Sequence, residues 1–184
     1  KWIGILIVIL AVLAVLTVFL TLFFFSFAIR RNDKYTVDAA VERMRKKTPP
    51  DQFAVVKKGV DGFIAAPKED VYMTSRDGLK LHAYLLEQPD PTAARGTIVL
   101  VHGWRSHPEI DFSASWEYYT KKGLNVLAIH QRAMGKSEGK YICFGVKERW
   151  DLVDWISFVN WRYNEDKKII VSGVSMGAST VLMA

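Results

Sequence analysis

The chain has 184 residues, which is enough for one domain with short appendages. Its formal net charge is +6, but no basic stripe is interleaved with aromatic residues, so we expect no nucleic-acid binding. Cys143 is the single cysteine, which excludes an intrachain disulfide and does not fix the redox compartment.

The first element is an apolar segment over residues 3–28 without any charged side chain. A bilayer span needs about 20 such residues, whereas the apolar region of a signal peptide has about 7–15 and ends at a small-residue cleavage site. This segment is longer and ends in Phe-Ala-Ile-Arg-Arg. We therefore expect residues 1–30 to be a retained single-pass membrane anchor.

Basic residues cluster directly after this segment. This cluster favours contact with anionic lipid headgroups, and a solvated helix face is the equally weighted alternative. The positive-inside tendency places it in the cytoplasm, but large domains also translocate regardless of charge, so the side of the membrane stays open. The cluster comprises Arg30, Arg31, Lys34, Arg43, Arg45, Lys46 and Lys47.

Residues 31–68 form a predicted juxtamembrane region. Its charge pattern indicates a short helix over 36–47, which the Pro49-Pro50 pair ends. Residues 51–68 are interpreted as a lead-in that wraps onto the following domain. Alternating segments at 71–75 and 79–86 then flank Asp77-Gly78, which predicts a β-hairpin.

From here the pattern changes to short, unbroken apolar runs at 97–101, 126–129 and 169–171. Strands that are buried on both faces have this composition, which indicates a parallel sheet. Helical patterns over 112–122 and 146–161 separate the runs. Residues 69–184 therefore predict an α/β domain in which a hairpin leads into a parallel sheet with flanking helices.

Each of the three buried runs ends in a distinctive motif: His102-Gly103-Trp104, then residues 131–139 (QRAMGKSEG), then Gly173-Val174-Ser175-Met176-Gly177. In this order and placement they resemble the α/β-hydrolase superfamily over residues 71–184. The chain is most similar to membrane-anchored bacterial members of the serine aminopeptidase-like and monoacylglycerol-lipase-like group. Ligands of open α/β sheets bind at these strand ends.

The resemblance implies a role for each motif. Ser175 is the expected nucleophile on a sharp strand-to-helix turn, which Gly173 and Gly177 permit, and a serine that merely tolerates a tight turn is the alternative. The backbone N–H groups of Met176 and Trp104 would form the oxyanion hole. His102 and Gly103 would shape the loop that carries Trp104, and the competing interpretation makes His102 the catalytic base.

The second motif departs from the family, whose members usually carry an aspartate at the position of His130. Arg132 is expected to form a structural ion pair with Asp151 or Glu148. His82 and His107 are interpreted as surface or packing residues. We expect no cofactor, and no metal at His130, because no second ligand lies at a usable sequence spacing.

No Asp, Glu or His follows Ser175 in the chain, whereas in this superfamily the acid and the histidine come after the nucleophile. We expect the chain to be the N-terminal part of a longer hydrolase and to be inactive alone. The predicted function is cleavage of an ester, less plausibly a peptide or thioester, through an acyl-enzyme, on a small-molecule or lipid-like acyl substrate. The alternative is a membrane-tethered, non-catalytic scaffold that binds a ligand or partner. Oligomeric state stays open.

Overall fold

A mixed five-stranded sheet forms the centre of the domain in the computed structural model, which describes residues 1–91, 93–163 and 167–184. The strand order is β1-β2-β4-β3-β5. The β1–β2 and β2–β4 pairs are antiparallel, and β3 pairs in parallel with both β4 and β5. The strands are β1 (Glu69–Thr74), β2 (Lys80–Leu86), β3 (Thr97–Val101), β4 (Asn125–Ile129) and β5 (Ile169–Gly173).

This arrangement confirms the predicted hairpin followed by parallel strands. Gly78 adopts a φ of 85° in the hairpin turn, a conformation that glycine tolerates without strain. The helices are α1 (Trp2–Ile29), α2 (Val37–Lys47), α3 (Pro50–Ala65), α4 (Pro108–Asp111), α5 (Trp116–Lys121), α6 (Glu148–Tyr163) and α7 (Met176–Met183).

Two segments differ from the sequence interpretation. The lead-in after Pro49-Pro50 is largely the helix α3, which starts with Pro50 at its first position, where the missing N–H costs no hydrogen bond. The helix expected over 112–122 is shorter and begins later, as α5 (Trp116–Lys121). The separate short helix α4 (Pro108–Asp111) precedes it, and residues 112–115 between the two form turns. At the break, Ser113 Oγ donates to the carbonyl of Ile110, a local bond that competes with helix continuation.

The sheet is covered on both faces, which explains its unbroken apolar strands. On one face, the side chains of α6 pack against alternate residues of β2, β3 and β4, and Trp155 is fully buried among them. On the other face, Phe63 of α3 and Phe112 pack against the remaining residues of the same strands. Burying an aromatic or aliphatic side chain of this size contributes about 1.5–3 kcal/mol, so both layers stabilise the position of the strand ends.

Helix α1 extends away from the domain. It is long and apolar enough to cross a membrane, and none of its residues is buried. At about 1.5 Å per residue it exceeds the roughly 30 Å hydrocarbon core of a bilayer. Only its C-terminal end contacts the domain, where the carbonyl of Ile29 accepts a hydrogen bond of 2.7 Å from the N–H of Ile142.

Candidate active site

Ser175 lies in the turn between β5 and α7, at the edge of the sheet where the parallel strands end. Its φ of 53° and ψ of −118° are unusual for a residue with a side chain, and Ser175 is exposed. Gly177 fits there because a Cβ would lie 2.0 Å from the carbonyl oxygen of Val101. Strained conformations of this kind persist where the surrounding structure fixes them, and they cluster at functional sites.

The loop after β3 runs directly beside this turn. A Cβ placed on Gly103 would lie 3.3 Å from the Cβ of Ser175. Asp111 braces the loop, because its carboxylate accepts from the N–H of Gly103 at 2.7 Å and from Ser106 Oγ at 2.6 Å. The sequence interpretation missed Asp111, whose only sequence signal is an acidic residue in the first turn of α4.

The backbone N–H groups of Trp104 and Met176 flank the turn and the loop. In the part of the chain that the structure describes, neither group donates a hydrogen bond within the protein. Free, preorganised backbone donors next to an exposed hydroxyl are what stabilisation of a developing oxyanion requires. No acceptor within the described residues therefore competes for these two donors.

His102 is fully buried behind the loop, and both of its ring nitrogens are engaged. Its Nδ1 donates to the carbonyl of Gly103 at 2.8 Å, and its Nε2 accepts from the N–H of Gln131 at 3.1 Å. Burial lowers the pKa of His102 to about 3, so the ring stays neutral. These contacts disfavour the interpretation of His102 as the catalytic base. Gln131, which the sequence interpretation did not single out, also accepts from the hydroxyl of Thr180 on α7.

Arg132 forms the ion pair that the sequence predicted with Asp151, and a second with Asp77. Its guanidinium donates to both oxygens of Asp151 at 2.7 and 2.6 Å and to those of Asp77 at 2.8 and 3.1 Å. Glu148, the other candidate partner, accepts instead from the N–H groups of Cys143 and Gly145. The Arg132 pairs connect the β1–β2 hairpin, the loop after β4 and helix α6.

His82 and His107 are both buried, so the surface interpretation of these residues is wrong. The stated reason against a metal at His130 is also wrong, because folding brings His107 and Glu109 to it across the sequence. Burial lowers the pKa of His130, against the opposing charge of Glu109. A cavity of about 270 Å³ adjoins all three side chains.

The C-terminal end of α1 rests on the loop that carries Trp104. The Trp104 indole donates to the carbonyl of Ala28 at 2.9 Å. The Arg105 guanidinium donates to the carbonyls of Phe27 and Arg30, and it lies 4.7 Å from the Trp104 ring centroid. The last carbonyls of a helix have no partners within it, so these side chains satisfy them and join the helix end to the site.

The chain is also similar to several solved structures. An esterase of Pyrococcus furiosus, Pf2001, is 32% identical over 64% of this chain and 46% of its own, with a TM-score of 0.54. Est1E of Butyrivibrio proteoclasticus, solved with bound ferulic acid, is 25% identical over 62% of this chain and 46% of its own, with a TM-score of 0.52.

A more distant structure shares the fold alone. The alpha/beta hydrolase GrgF of Penicillium sp. sh18 is 21% identical over 64% of this chain and 41% of its own, with a TM-score of 0.55. No protein-family model matches the sequence, and no curated protein matches it. This chain spans less than half of the length of each of these structures.

Proposed function

The chain carries the first part of an α/β-hydrolase fold, and from that premise we propose that the protein is a serine hydrolase that cleaves an ester through an acyl-enzyme on Ser175. The observation that carries the proposal is the strained, exposed Ser175 next to two free backbone N–H groups. The esterases among its structural neighbours favour an ester over a peptide or thioester.

In the proposed reaction, Ser175 Oγ attacks the acyl carbonyl and its proton passes to a histidine. The carbonyl oxygen becomes an oxyanion that accepts from the N–H groups of Met176 and Trp104, each donor contributing about 2.7–4 kcal/mol to the barrier reduction. The tetrahedral intermediate then collapses and expels the alcohol, which takes the proton from the histidine. Water finally hydrolyses the acyl-enzyme. We propose that the histidine and its acid partner belong to the part of the α/β-hydrolase fold that this chain, which covers 46% of the esterase Pf2001, does not include.

We also propose that α1 anchors the protein in a membrane and that the substrate is a small or lipid-like acyl compound. The support is the contact between the end of α1 and the Trp104 loop, which would hold the mouth of the site near the lipid headgroups. The basic residues that follow α1 would favour an anionic surface.

The test is labelling of the full-length protein with a fluorophosphonate probe, which reacts with a serine activated by its base and oxyanion hole. We expect Ser175→Ala to abolish labelling and to lower ester turnover by at least about 10⁴-fold. Ser179→Ala is the matched control, because Ser179 is an exposed serine on α7, and its substitution should leave labelling unchanged.

Two further outcomes separate the alternatives. The 184-residue chain alone should not label, since the base is outside it. A folded full-length protein that fails to label would contradict the hydrolase proposal and would favour the non-catalytic scaffold instead.

A further inference from the structure

Three buried side chains converge beside the cavity next to the Trp104 loop: His107 and Glu109 at the start of α4, and His130 after β4. Their potential ligand atoms all lie within 4.8 Å of one another. Glu109 Oε2 and His130 Nε2 are 3.8 Å apart, and neither has a hydrogen-bond partner within the described part of the chain. The two residues are only 5% and 2% exposed. Buried polar atoms are normally paired, so this arrangement calls for a missing partner.

A line of hydrogen bonds determines which nitrogen of His130 is free. Asp70 is ionised beside Lys136 and only accepts, so His82 Nε2, 2.6 Å from its Oδ1, carries the proton. His82 Nδ1 is then an acceptor, and His130 Nδ1 donates to it at 2.6 Å. His130 Nε2 is left with a lone pair facing the Glu109 carboxylate.

His107 is oriented in the same way by the backbone. Its Nε2 lies 2.7 Å from the carbonyl oxygen of Tyr35, which can only accept, so this nitrogen carries the proton. His107 Nδ1 therefore holds the free lone pair. Metal-ligating histidines typically donate their other N–H to a carboxylate, a carbonyl or water, which fixes the ring orientation.

We propose that His107, Glu109 and His130 form a binding site for one divalent transition-metal ion, with Zn²⁺ the best match. Imidazole and carboxylate ligands suit Zn²⁺ at about 2.0–2.2 Å, and atoms this close can reach a common ion with small side-chain movements. Mg²⁺ and Ca²⁺ prefer oxygen ligands alone. Three protein ligands leave the fourth tetrahedral position open towards the cavity.

The surroundings are built to hold this cluster. Gly135 adopts a φ of 54°, and a Cβ there would lie 2.4 Å from the His130 ring, so only glycine lets the chain pass that ring. The cations that border the cavity are engaged elsewhere, Lys136 with Asp70 and Arg105 with Tyr35 and the end of α1. An ion here would tie the loop that carries Trp104 to the loop after β4.

The test is metal binding by the full-length protein in detergent micelles, which needs no hydrolase activity. After chelation, we expect the wild type to bind one Zn²⁺ per chain in competition with a chromogenic chelator, and Mg²⁺ not to compete. Glu109→Gln keeps the shape of the side chain but removes the charged ligand, so the affinity for Zn²⁺ should fall at least about 100-fold. Asp70→Asn changes a partner that His82 and Lys136 share without removing any of the three ligands, and it should weaken binding about 10-fold to 100-fold.

Cys143→Ser and Glu117→Gln are the controls, and both should bind Zn²⁺ as the wild type does. Co²⁺ substitution gives a second measurement that needs no variant. Visible bands of a nitrogen and oxygen site support the proposal, and a thiolate charge-transfer band would assign the metal to a cysteine and overturn it. A folded wild type without stoichiometric Zn²⁺, or Glu109→Gln with wild-type affinity, would also overturn it.

Discussion

Gly177 has no room for a side chain between α7 and the end of β3. A Cβ would lie 2.0 Å from the carbonyl oxygen of Val101 and 2.7 Å from that of His102, both of them backbone atoms that cannot rotate away. The residue therefore fixes how closely the Ser175 turn approaches the Trp104 loop. Its contribution to the site is positional, because it sets the distance between the proposed nucleophile and one proposed oxyanion donor.

We predict that Gly177→Ala destabilises the protein by about 2–4 kcal/mol, because overpacking against backbone forces the turn to shift. The thermal midpoint of the full-length protein and its fluorophosphonate labelling should both decrease. Gly4→Ala is the control, since a Cβ there meets nothing within 4 Å and neither property should change. Wild-type stability and labelling in Gly177→Ala would show that the turn and the loop are further apart than in the structure.

At the scale of elements, the β1–β2 hairpin is joined to the rest of the domain by Asp77. Its carboxylate accepts from Arg132 after β4, from Lys147 before α6 and from Ser75 in its own turn. Arg132 and these neighbours hold the pKa of Asp77 well below its usual range. A carboxyl whose pKa is lowered by folding stabilises the native state above its unfolded pKa of about 3.9.

This linkage predicts the pH dependence of one variant. Asp77→Asn should lower the thermal midpoint by a constant amount between about pH 5 and 7, because the wild-type carboxylate is ionised in both folded and unfolded states there. Below about pH 4 the difference in thermal midpoint between the wild type and Asp77→Asn should narrow, since protonation of Asp77 removes the same interaction from the wild type. Asp61→Asn, on the exposed side of α3, should have the same thermal midpoint as the wild type at each pH. A difference that stays constant down to pH 2 would contradict the assignment.

The elements and the histidine cluster differ in how far the sequence predicts them. The pattern of apolar residues and the turn residues identified the hairpin and the parallel strands, because both patterns are local in the sequence. The pairing of Arg132 with Asp151 followed from a motif and the helix after it. The approach of His107 and Glu109 to His130 has no such signal. The start of α4 after β3 and the loop after β4 supply these side chains, and the parallel pairing of β3 with β4 brings the two segments together. The His82–His130 bond likewise depends on the β2–β4 pairing, which joins Ala83 to Ile129.

At the scale of the whole molecule, the end of α1 and the C-terminal edge of the parallel strands meet at one place. Ala28 and Ile29 accept hydrogen bonds from Trp104 and Ile142, and Arg30 pairs with Tyr141 in a β-bridge. Lys168 precedes β5 and therefore lies at the opposite edge of the sheet from Ser175, about 16 Å away at about 3.3 Å per residue of strand. If α1 spans a bilayer, the two edges of the sheet must differ in their distance from the lipid.

This geometry predicts the orientation of the domain on a membrane. In a Cys143→Ser background, a fluorophore on Tyr141→Cys should be quenched more strongly by lipid-attached quenchers in vesicles than one on Lys168→Cys. Tyr141 is 49% exposed, so it should accept a label without repacking the core. Equal quenching at both sites would mean that the domain tumbles away from the membrane on its anchor, and stronger quenching at Lys168→Cys would reverse the orientation. Either result would remove the structural support for a lipid-like substrate, while leaving the Ser175 chemistry to be judged by its own labelling experiment.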